Sequence, residues 1–581
     1  MDKKQIARVL EEIAMLLELK AANPFRVRAY RNAARAVLNM DEDLLKMVQE
    51  ERLTEVEGIG DDLAEKITAL ALKGKLPFYE KLKRSIPSGV VEMMHIQGLG
   101  GKKVKRIYDK LKITSIAELK KACEEGRLAK IKGFGTKTEQ NILDALASAE
   151  SYSKRRTWWE AMSIAEPILE GLKRLKGVQK AEIAGSLRRK LETVGDIDFL
   201  VASSQPKPIM HWFTSQSFVD RVLAKGDTKS SIRLKGGVQA DLRIVPEKQF
   251  AFALCYFTGS KEHNIKLRER SKKRGWTLSE WGLTTEKGKA IPSIGTKKNI
   301  CEADIYQSLG FSYIPPELRE NKGEFEAASR DKLPQLVEEE DIRGTFHNHT
   351  TASDGRNTLK EMVAAAEKMG WEYIGIADHS KASFQANGLD EKTLQQQIEQ
   401  IKKLNASKTF RTYIFAGTEC DILSDGSLDV SNSLLKQLDY VIISIHSSLQ
   451  QDEKTMTKRL IRAIEHPYST MVGHLTGRLL LKREPYKVNV AKVIDACIAN
   501  HKIIELNANP LRLDMDWRLW HAASEKGLLC CINTDAHSVD NLAFYRAGVN
   551  AARKGWLEKR HILNTRPLKQ VHNFLKELHK K

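Results

Sequence analysis

No uncharged apolar run in the 581-residue sequence approaches the roughly 18 residues of a membrane-spanning helix. The opening stretch, MDKKQIARVLEEIAMLLELK, lacks an export-signal pattern and reads as a charged amphipathic helix. Cysteine is sparse: there are seven, none spaced as CxxC, and only Cys530 and Cys531 are adjacent. That argues against a thiolate zinc site or a disulfide framework and for a reducing, cytoplasmic setting. Acidic residues are outnumbered 95 to 75 by basic ones, for a net charge of +20. The excess is uneven, with +13 over residues 1–340 and none over 341–550. A basic front half suits a polyanion, nucleic acid first, although a generic basic protein would carry the same charge. At 41% hydrophobic and 29% charged residues the chain is globular, and its length allows several domains.

Residues 1–150 read as helical, with Leu, Ile and Ala recurring every three to four positions. Three stretches there are alike: EGIGDDLAEKI (57–67), QGLGGKKVKRI (97–107) and KGFGTKTEQNI (132–142). Each is a Gly-x-Gly leading into a helix, a turn that aims backbone N–H groups at a phosphate without reading sequence. One copy is an ordinary turn. Three in a basic region resemble the helix-hairpin-helix family, which implies DNA contacts at Gly58, Gly60, Gly98, Gly100, Lys102 and Lys103, beside Lys105 and Arg106. The third copy is the one expected to be structural.

Residues 151–315 mix helices with strand-like runs. In GDIDF (195–199), Asp196 and Asp198 alternate onto one strand face, and Asp241 sits in a second strand, VQADLRIV. Clustered carboxylates repel unless a divalent cation lies between them, and oxygen ligands suit Mg²⁺ or Mn²⁺. Three such acids can hold the two cations of an in-line phosphoryl transfer, whereas two acids alone would suit a solvated edge strand. The pattern AGSLRR…GDIDF…ADLRIV…CYFTGSKEHNIKLR resembles the family X DNA polymerases across residues 1–318. The resemblance implies the nucleotidyltransferase fold, with Asp196, Asp198 and Asp241 catalytic and metal-binding. It also implies nucleotide contacts by Ser186, Arg189, Gly195, Tyr256, Phe257, Gly259 and Asn264, with Arg268 on the template strand. Val194 departs from the small hydroxyl residue common before that glycine. Lys66 stands where relatives with an N-terminal lyase carry the Schiff-base lysine, but Asp62 replaces a second lysine and Arg26 a third. A carboxylate one turn away favours the charged amine, so phosphate binding or a solvated helix is expected before lyase activity.

Residues 316–340 are polar, acidic and proline-bearing, and read as a linker. From 341 onward short apolar strands alternate with helices, the pattern of a parallel βα barrel. Nearly every such strand run ends in a ligand-type residue: His347, His349 and Asp354 in FHNHTTASDG, then His379, Glu419, His446, His474, Asp535 and His537. Strand ends of a βα barrel share one rim, and imidazoles with carboxylates and no thiol suit Mn²⁺, Zn²⁺ or Fe²⁺. His466, His501 and His521 lack that setting and read as structural. This half resembles the polymerase and histidinol phosphatase (PHP) domain. The resemblance implies up to three divalent metals, Mn²⁺ or Zn²⁺: one on His347, His349, Glu419 and Asp535, a second on Glu419, His446 and His474, a third on Asp354, His379 and His537. It also implies Arg478 as a phosphate clamp, and 3′→5′ exonuclease activity with abasic-site endonuclease or 3′-phosphatase activity in some copies.

The fold expected is multidomain. A helical lyase-like domain (1–85) and a helix-hairpin-helix subdomain (86–150) precede an α+β palm (151–250) and a nucleotide-binding subdomain (251–318). A linker (319–340) and an α/β distorted TIM-like PHP barrel (341–581) follow. The function expected is a family X polymerase filling short gaps in base excision repair. It would be monomeric and cytoplasmic on the nucleoid, away from membranes, and would act on gapped or primed double-stranded DNA with deoxynucleoside triphosphates. The rivals are a PHP-type phosphoesterase with a non-polymerising DNA-binding front half, a non-catalytic scaffold, and a template-independent nucleotidyltransferase.

Overall fold

A computed structural model describes the chain except residues 2, 21, 40–43, 57, 95–98, 100, 132, 137, 141, 144–154, 290, 292–293, 295–298 and 579–581. Contacts divide it into two units, Met1–Ser153 and Lys154–Lys581.

The first unit is helical. The helices Lys3–Leu19, Pro24–Asn39 and Asp61–Lys73 close one core around Leu10, Ile13, Tyr30, Ile67 and Leu70. A second core, around Val90, Val104, Ile107, Leu119 and Phe134, gathers the helices Gly101–Leu111 and Ile116–Glu124. The apolar residues fall three to four apart, so one stripe of each helix is buried and the charged positions face outward.

The second unit begins with a five-stranded sheet in the order Lys180–Ile183, Asp196–Ala202, Gln239–Val245, Lys229–Leu234, Val219–Lys225. The two acidic strands are parallel neighbours, with Asp198 opposite Asp241 and Asp196 opposite Gln239. Helices from Trp158 to Lys173 and from Pro206 to Ser215 cover the apolar face of that sheet.

Further on, seven strands pair in parallel and in sequence order: Gly344–Thr345, Tyr373–Ile376, Tyr413–Asp421, Tyr440–Ser444, Met471–Val472, Ile503–Asn507 and Cys530–Asn533. A parallel bridge between Asn348 and Ala536 joins the first strand end to the last, so the sheet is a nearly closed barrel. Apart from the partly buried Tyr413, its strands are buried along their length, as parallel strands covered by helices must be.

Residues 319–340 differ from the expected linker. Arg319 and Glu324 are fully buried, and Phe325, Ala328 and Leu336 share a core with Ile305, Tyr306 and Trp556. The acidic composition that reads as solvated is instead paired: Glu324 accepts from His263 (2.8 Å), and Glu320 accepts from Arg189 and Lys554 (3.0 Å each). Buried acids need such partners, and a linear reading cannot see partners 61 to 234 residues away.

Candidate metal centres

The carboxylate site lies on the five-stranded sheet. Asp196 is exposed and Asp198 half-buried at the start of their strand. Asp241, across from Asp198, accepts from Gln239 Nε2 (2.9 Å) and pairs with Lys229 Nζ (3.2 Å). Burial, reinforced by the charges of Asp196 and Asp241, pushes the Asp198 carboxyl up to about 7. That is the cost of burying gathered acids that Lys229 and Arg243 offset only in part, and a hard divalent cation would relieve it. The turn Gly185–Arg188 stands directly above: Gly185 has φ 62°, and any Cβ there would collide with the Asp198 carboxylate. Ser186 is half-buried in that turn. Gly195 is exposed beside Asp196.

Arg189 leaves the turn to donate from Nη1 to Thr258 O (2.5 Å) and from Nε to Glu320 (3.0 Å). It therefore sits against Gly259, whose Cβ position is 3.3 Å from Nη1. Tyr256 and Phe257 stand edge to face at 5.2 Å, Arg243 covers the Phe257 ring at 4.3 Å, and Asn264 donates to Tyr256 O (2.6 Å). Arg268 is exposed one turn further on. Arg189, Tyr256, Phe257 and Asn264 thus gather around Gly259, with Arg268 on the adjoining surface.

The histidine site is at the carboxyl ends of the barrel strands, and all nine expected donors are there. Glu419 is the hub: Oε1 faces His474 Nε2 (2.9 Å) and His446 Nε2 (3.2 Å), while Oε2 faces His379 Nδ1 (2.9 Å) and His347 Nε2 (3.2 Å). Asp535 Oδ1 lies 3.4 Å from His349 Nε2, and Asp354 Oδ2 lies 3.3 Å from His537 Nε2. Gly355 makes the Asp354 turn possible, because a Cβ there would come within 2.7 Å of the His349 backbone. Donor atoms lie within 4.8 Å of one another in three sets: His349–Asp354–His379–His537, His347–His349–Asp535 and His379–Glu419–His446. His349 and His379 each take part in two of these sets, a sharing that the sequence pattern did not suggest.

Burial alone would push the Glu419 carboxyl up, but the charges of His347, His446 and His379 hold it well below the usual carboxylate range. Nε2 of His347, both ring nitrogens of His349, Nδ1 of His379 and both Glu419 oxygens are buried without a hydrogen-bond partner. Orphaned buried ligand atoms of this kind, gathered within reach of one another, fit divalent cations. The site is graded: His347, His349, Glu419 and His474 are buried, whereas Asp354 and His537 are about a third exposed and form its open lip.

Sequence reasoning missed the outer layer. Glu505 holds His347 Nδ1 (3.0 Å), and Asp421 holds His446 Nδ1 (2.8 Å). Asp378 accepts from Thr350, Ser353 and Gln397, bracing the loop that carries His349. Such partners fix ring tautomer and orientation. A faint signal existed, since Asp421 follows Glu419 by two along one strand. Arg512 was missed as well. Its Nε lies 3.3 Å from Asp535 Oδ2, and its Nη1 is buried without a partner.

Arg478 is placed differently from its expected role. It donates to Arg512 O (2.9 Å), Leu513 O and Asp516 (3.1 Å) and pairs with Glu192 of the five-stranded-sheet region. Four of its five N–H donors are spent on joining the barrel to that region and on the adjoining loop.

In the first unit Gly58 turns left-handed (φ 93°) and Gly60 caps the helix Asp61–Lys73. Asp61 and Asp62 occupy that helix's first turn, and Lys66 Nζ is bonded to the Asp62 carboxylate. Gly98 and Gly100 lie outside the described residues, as does the side chain of Lys102; Lys103 is on the helix Gly101–Leu111, which has no acid in its first turn.

Four family models match: the helix-hairpin-helix domain over residues 1–76, the SAM-like helix-hairpin-helix tandem over 90–148, the DNA polymerase beta thumb over 253–320 and the PHP domain over 345–509. The DNA polymerase/3′-5′ exonuclease PolX of Bacillus subtilis (strain 168) is 40% identical over 582 residues, covering 99% of this chain and 100% of its own. The chain belongs to the family X DNA polymerases that carry a PHP domain. The two halves have separate kin. DNA polymerase lambda of Rattus norvegicus is 25% identical over 46% of this chain and 48% of its own. A probable phosphatase of Thermoanaerobacter sp. (strain X514) is 26% identical over 40% of this chain and 95% of its own. No helix among the described residues is long and apolar enough to cross a membrane.

Proposed function

We propose that the protein extends a primer 3′ end across short gaps in DNA at the palm site and trims or cleans that end at the PHP site. The observation that carries this reading is the presence of both donor sets in one chain that aligns end to end with a polymerase/exonuclease.

At the palm, Asp196, Asp198 and Asp241 would hold Mg²⁺ or Mn²⁺. Bound cations would supply neutralisation of the triphosphate and of the three carboxylates. Asp241, steadied by Gln239 and Lys229, takes the proton of the primer hydroxyl on a carboxylate oxygen. Ser186, Arg189 and Gly195 contact the triphosphate. Tyr256, Phe257 and Gly259 form the sugar and base platform, Asn264 meets the base edge and Arg268 the template strand. In the first unit, the turns at Gly58–Gly60 and Gly98–Gly100 with Lys102 and Lys103 hold the DNA backbone. The second turn contributes more, because Asp61 and Asp62 already answer the dipole at the first helix.

At the PHP site the nine donors would hold up to three divalent cations, Mn²⁺ or Zn²⁺, eight of them in the three sets of neighbouring donor atoms given above and His474 beside Glu419. Arg512, not Arg478, meets the phosphate of the terminal nucleotide, and the open lip at Asp354 and His537 admits it. Replacing Arg512 with Ala should lower 3′→5′ hydrolysis by at least about tenfold, the loss of one charge-assisted contact of ~1.5–3 kcal/mol. Gap filling within base excision repair as a monomer on the nucleoid completes the reading. Abasic-site endonuclease or 3′-phosphatase activity belongs to the same PHP site.

The test is a 5′-labelled primer on a one-nucleotide gap with Mn²⁺, with and without nucleotides, using wild type, Asp196→Ala and His379→Ala. Lengthening lost only in Asp196→Ala, with shortening lost only in His379→Ala, is the expected result. Absence of lengthening in the wild type under any divalent metal would refute the polymerase half.

A further inference from the structure

The barrel reaches into the nucleotide site through one side chain. Lys554 ends the helix Tyr545–Lys554 of the barrel, and its side chain is fully buried. Its ammonium donates to three acceptors outside the barrel: Arg189 O (3.0 Å), Glu317 O (3.1 Å) and Glu320 Oε1 (3.0 Å). Glu320 Oε1 also accepts from Arg189 Nε (3.0 Å), so one carboxylate oxygen serves both cations. The Trp517 ring lies 4.6 Å from Lys554 Nζ and closes the remaining side. Beside it, Arg553 Nε and Lys190 Nζ take Glu317 Oε1 at 2.9 and 3.1 Å. The charges therefore alternate across the junction, and Lys554 is the member that touches both the backbone and the counter-ion of Arg189.

We infer that Lys554 is a positioning residue for nucleotide incorporation: it divides the charge of Glu320, leaving Arg189 free to exchange that carboxylate for a triphosphate. This rests on the reading of Arg189 as a triphosphate contact. An arginine held by a full carboxylate has an internal competitor for any anionic ligand, because the bidentate or charge-assisted bonds it makes to either are of the same kind. A second cation on the same oxygen weakens that competition. The Lys554 bond to Arg189 O also fixes the backbone from which the guanidinium extends. The PHP domain thereby serves the polymerase site with a side chain, in addition to doing its own chemistry.

The experiment measures single-nucleotide gap filling and 3′→5′ hydrolysis with the full chain carrying Lys554→Met, Lys554→Met with Glu320→Gln, or Arg189→Lys. Lys554→Met keeps the length of the stem and removes the charge. It should raise KM for the nucleotide roughly tenfold, equivalent to about 1.4 kcal/mol, with kcat and the hydrolysis rate within twofold of wild type. Adding Glu320→Gln should return KM most of the way, because the competitor is then neutral. If Arg189→Lys raises KM while Lys554→Met leaves it unchanged, the inference is overturned and the role of Arg189 stands. If neither variant moves KM, both fall. If Lys554→Met lowers Tm and kcat and the double variant recovers Tm without recovering KM, Lys554 is a packing element and the inference is overturned.

Discussion

The two metal sites differ in how far the protein has assembled them. At the PHP site nine donors converge on a buried hub, with Glu505 and Asp421 already steering the rings behind them. At the palm the acids are neighbours in register, but Asp196 is exposed, Asp198 is pushed up to about 7, and Asp241 is engaged by Lys229 and Gln239. Imidazoles can crowd because they can shed their charge, and each can be anchored through its second nitrogen. Carboxylates cannot, so a site made only of them is completed by what arrives. We infer from this difference that the first site would retain cations between turnovers and that the second would receive them with the triphosphate.

Replacing a hub ligand should have the largest effect and break the comparison most sharply. Glu419→Gln should reduce 3′→5′ hydrolysis by well over about a hundredfold, more than an outer-layer change costs, while gap filling persists. Asp198→Asn should do the reverse. Loss of both activities in either variant would show the sites to be one.

Next in size is the outer layer. Glu505→Gln keeps the shape but removes the charge behind His347, and metal affinity of the PHP site should fall about 10–100-fold. A metal titration followed by hydrolysis rate would read this. An unchanged titration would mean that Glu505 only packs.

A third buried charge network, paired among its own residues, sharpens the contrast. Glu302 accepts from Arg188 (2.6 Å) and Arg319 (2.6 Å). Burial pushes its carboxyl up, but the Arg319 charge and the Arg188 hydrogen bond outweigh that and hold it at about 2, against 4.5 unperturbed. His263 is pushed down to about 4 from 6.5 by burial, partly offset by its bond to Glu324. Both groups have depressed values in the folded state, so both stabilise at higher pH. The His263 contribution is complete above 6.5 and lost as pH falls toward 4, and the Glu302 contribution is complete above 4.5 and lost toward 2. The Tm of wild type relative to His263→Phe, at fixed ionic strength, should decline from pH 6.5 downward, the comparison cancelling the opposite contribution of the raised Asp198 carboxyl. A difference that stays constant between pH 6.5 and 4 would contradict it.

The smallest effect expected is at Lys66. Tied to Asp62, it is a poor nucleophile, and Lys66→Ala should leave any processing of a 5′ abasic sugar within about twofold of wild type. A large loss, or borohydride trapping at Lys66, would overturn this.

Much of the two sites was legible because their donors sit at fixed places in local patterns. His347, His379, Glu419, His446, His474 and Asp535 each close an apolar strand run, and a parallel barrel delivers such ends to one rim. Asp196 and Asp198 alternate on one strand. What escaped depends on partners far along the chain. Arg478 looks like a free cation next to a ligand strand until Glu192, 286 residues away, is seen to take it. Residues 319–340 look solvated until Arg189 and Lys554 are seen to neutralise Glu320, and His263 to hydrogen-bond Glu324. Glu505 and Arg512 sit in a strand and a loop whose only signal was proximity in space.

The central claim is that the PHP site keeps its cations and the palm site does not. The most direct measurement is metal content by plasma mass spectrometry after gel filtration in metal-free buffer, for wild type, Asp198→Asn and His349→Ala. The account predicts that wild type and Asp198→Asn retain the same metal and that His349→Ala loses most of it. Equal loss from all three, or loss confined to Asp198→Asn, would contradict it.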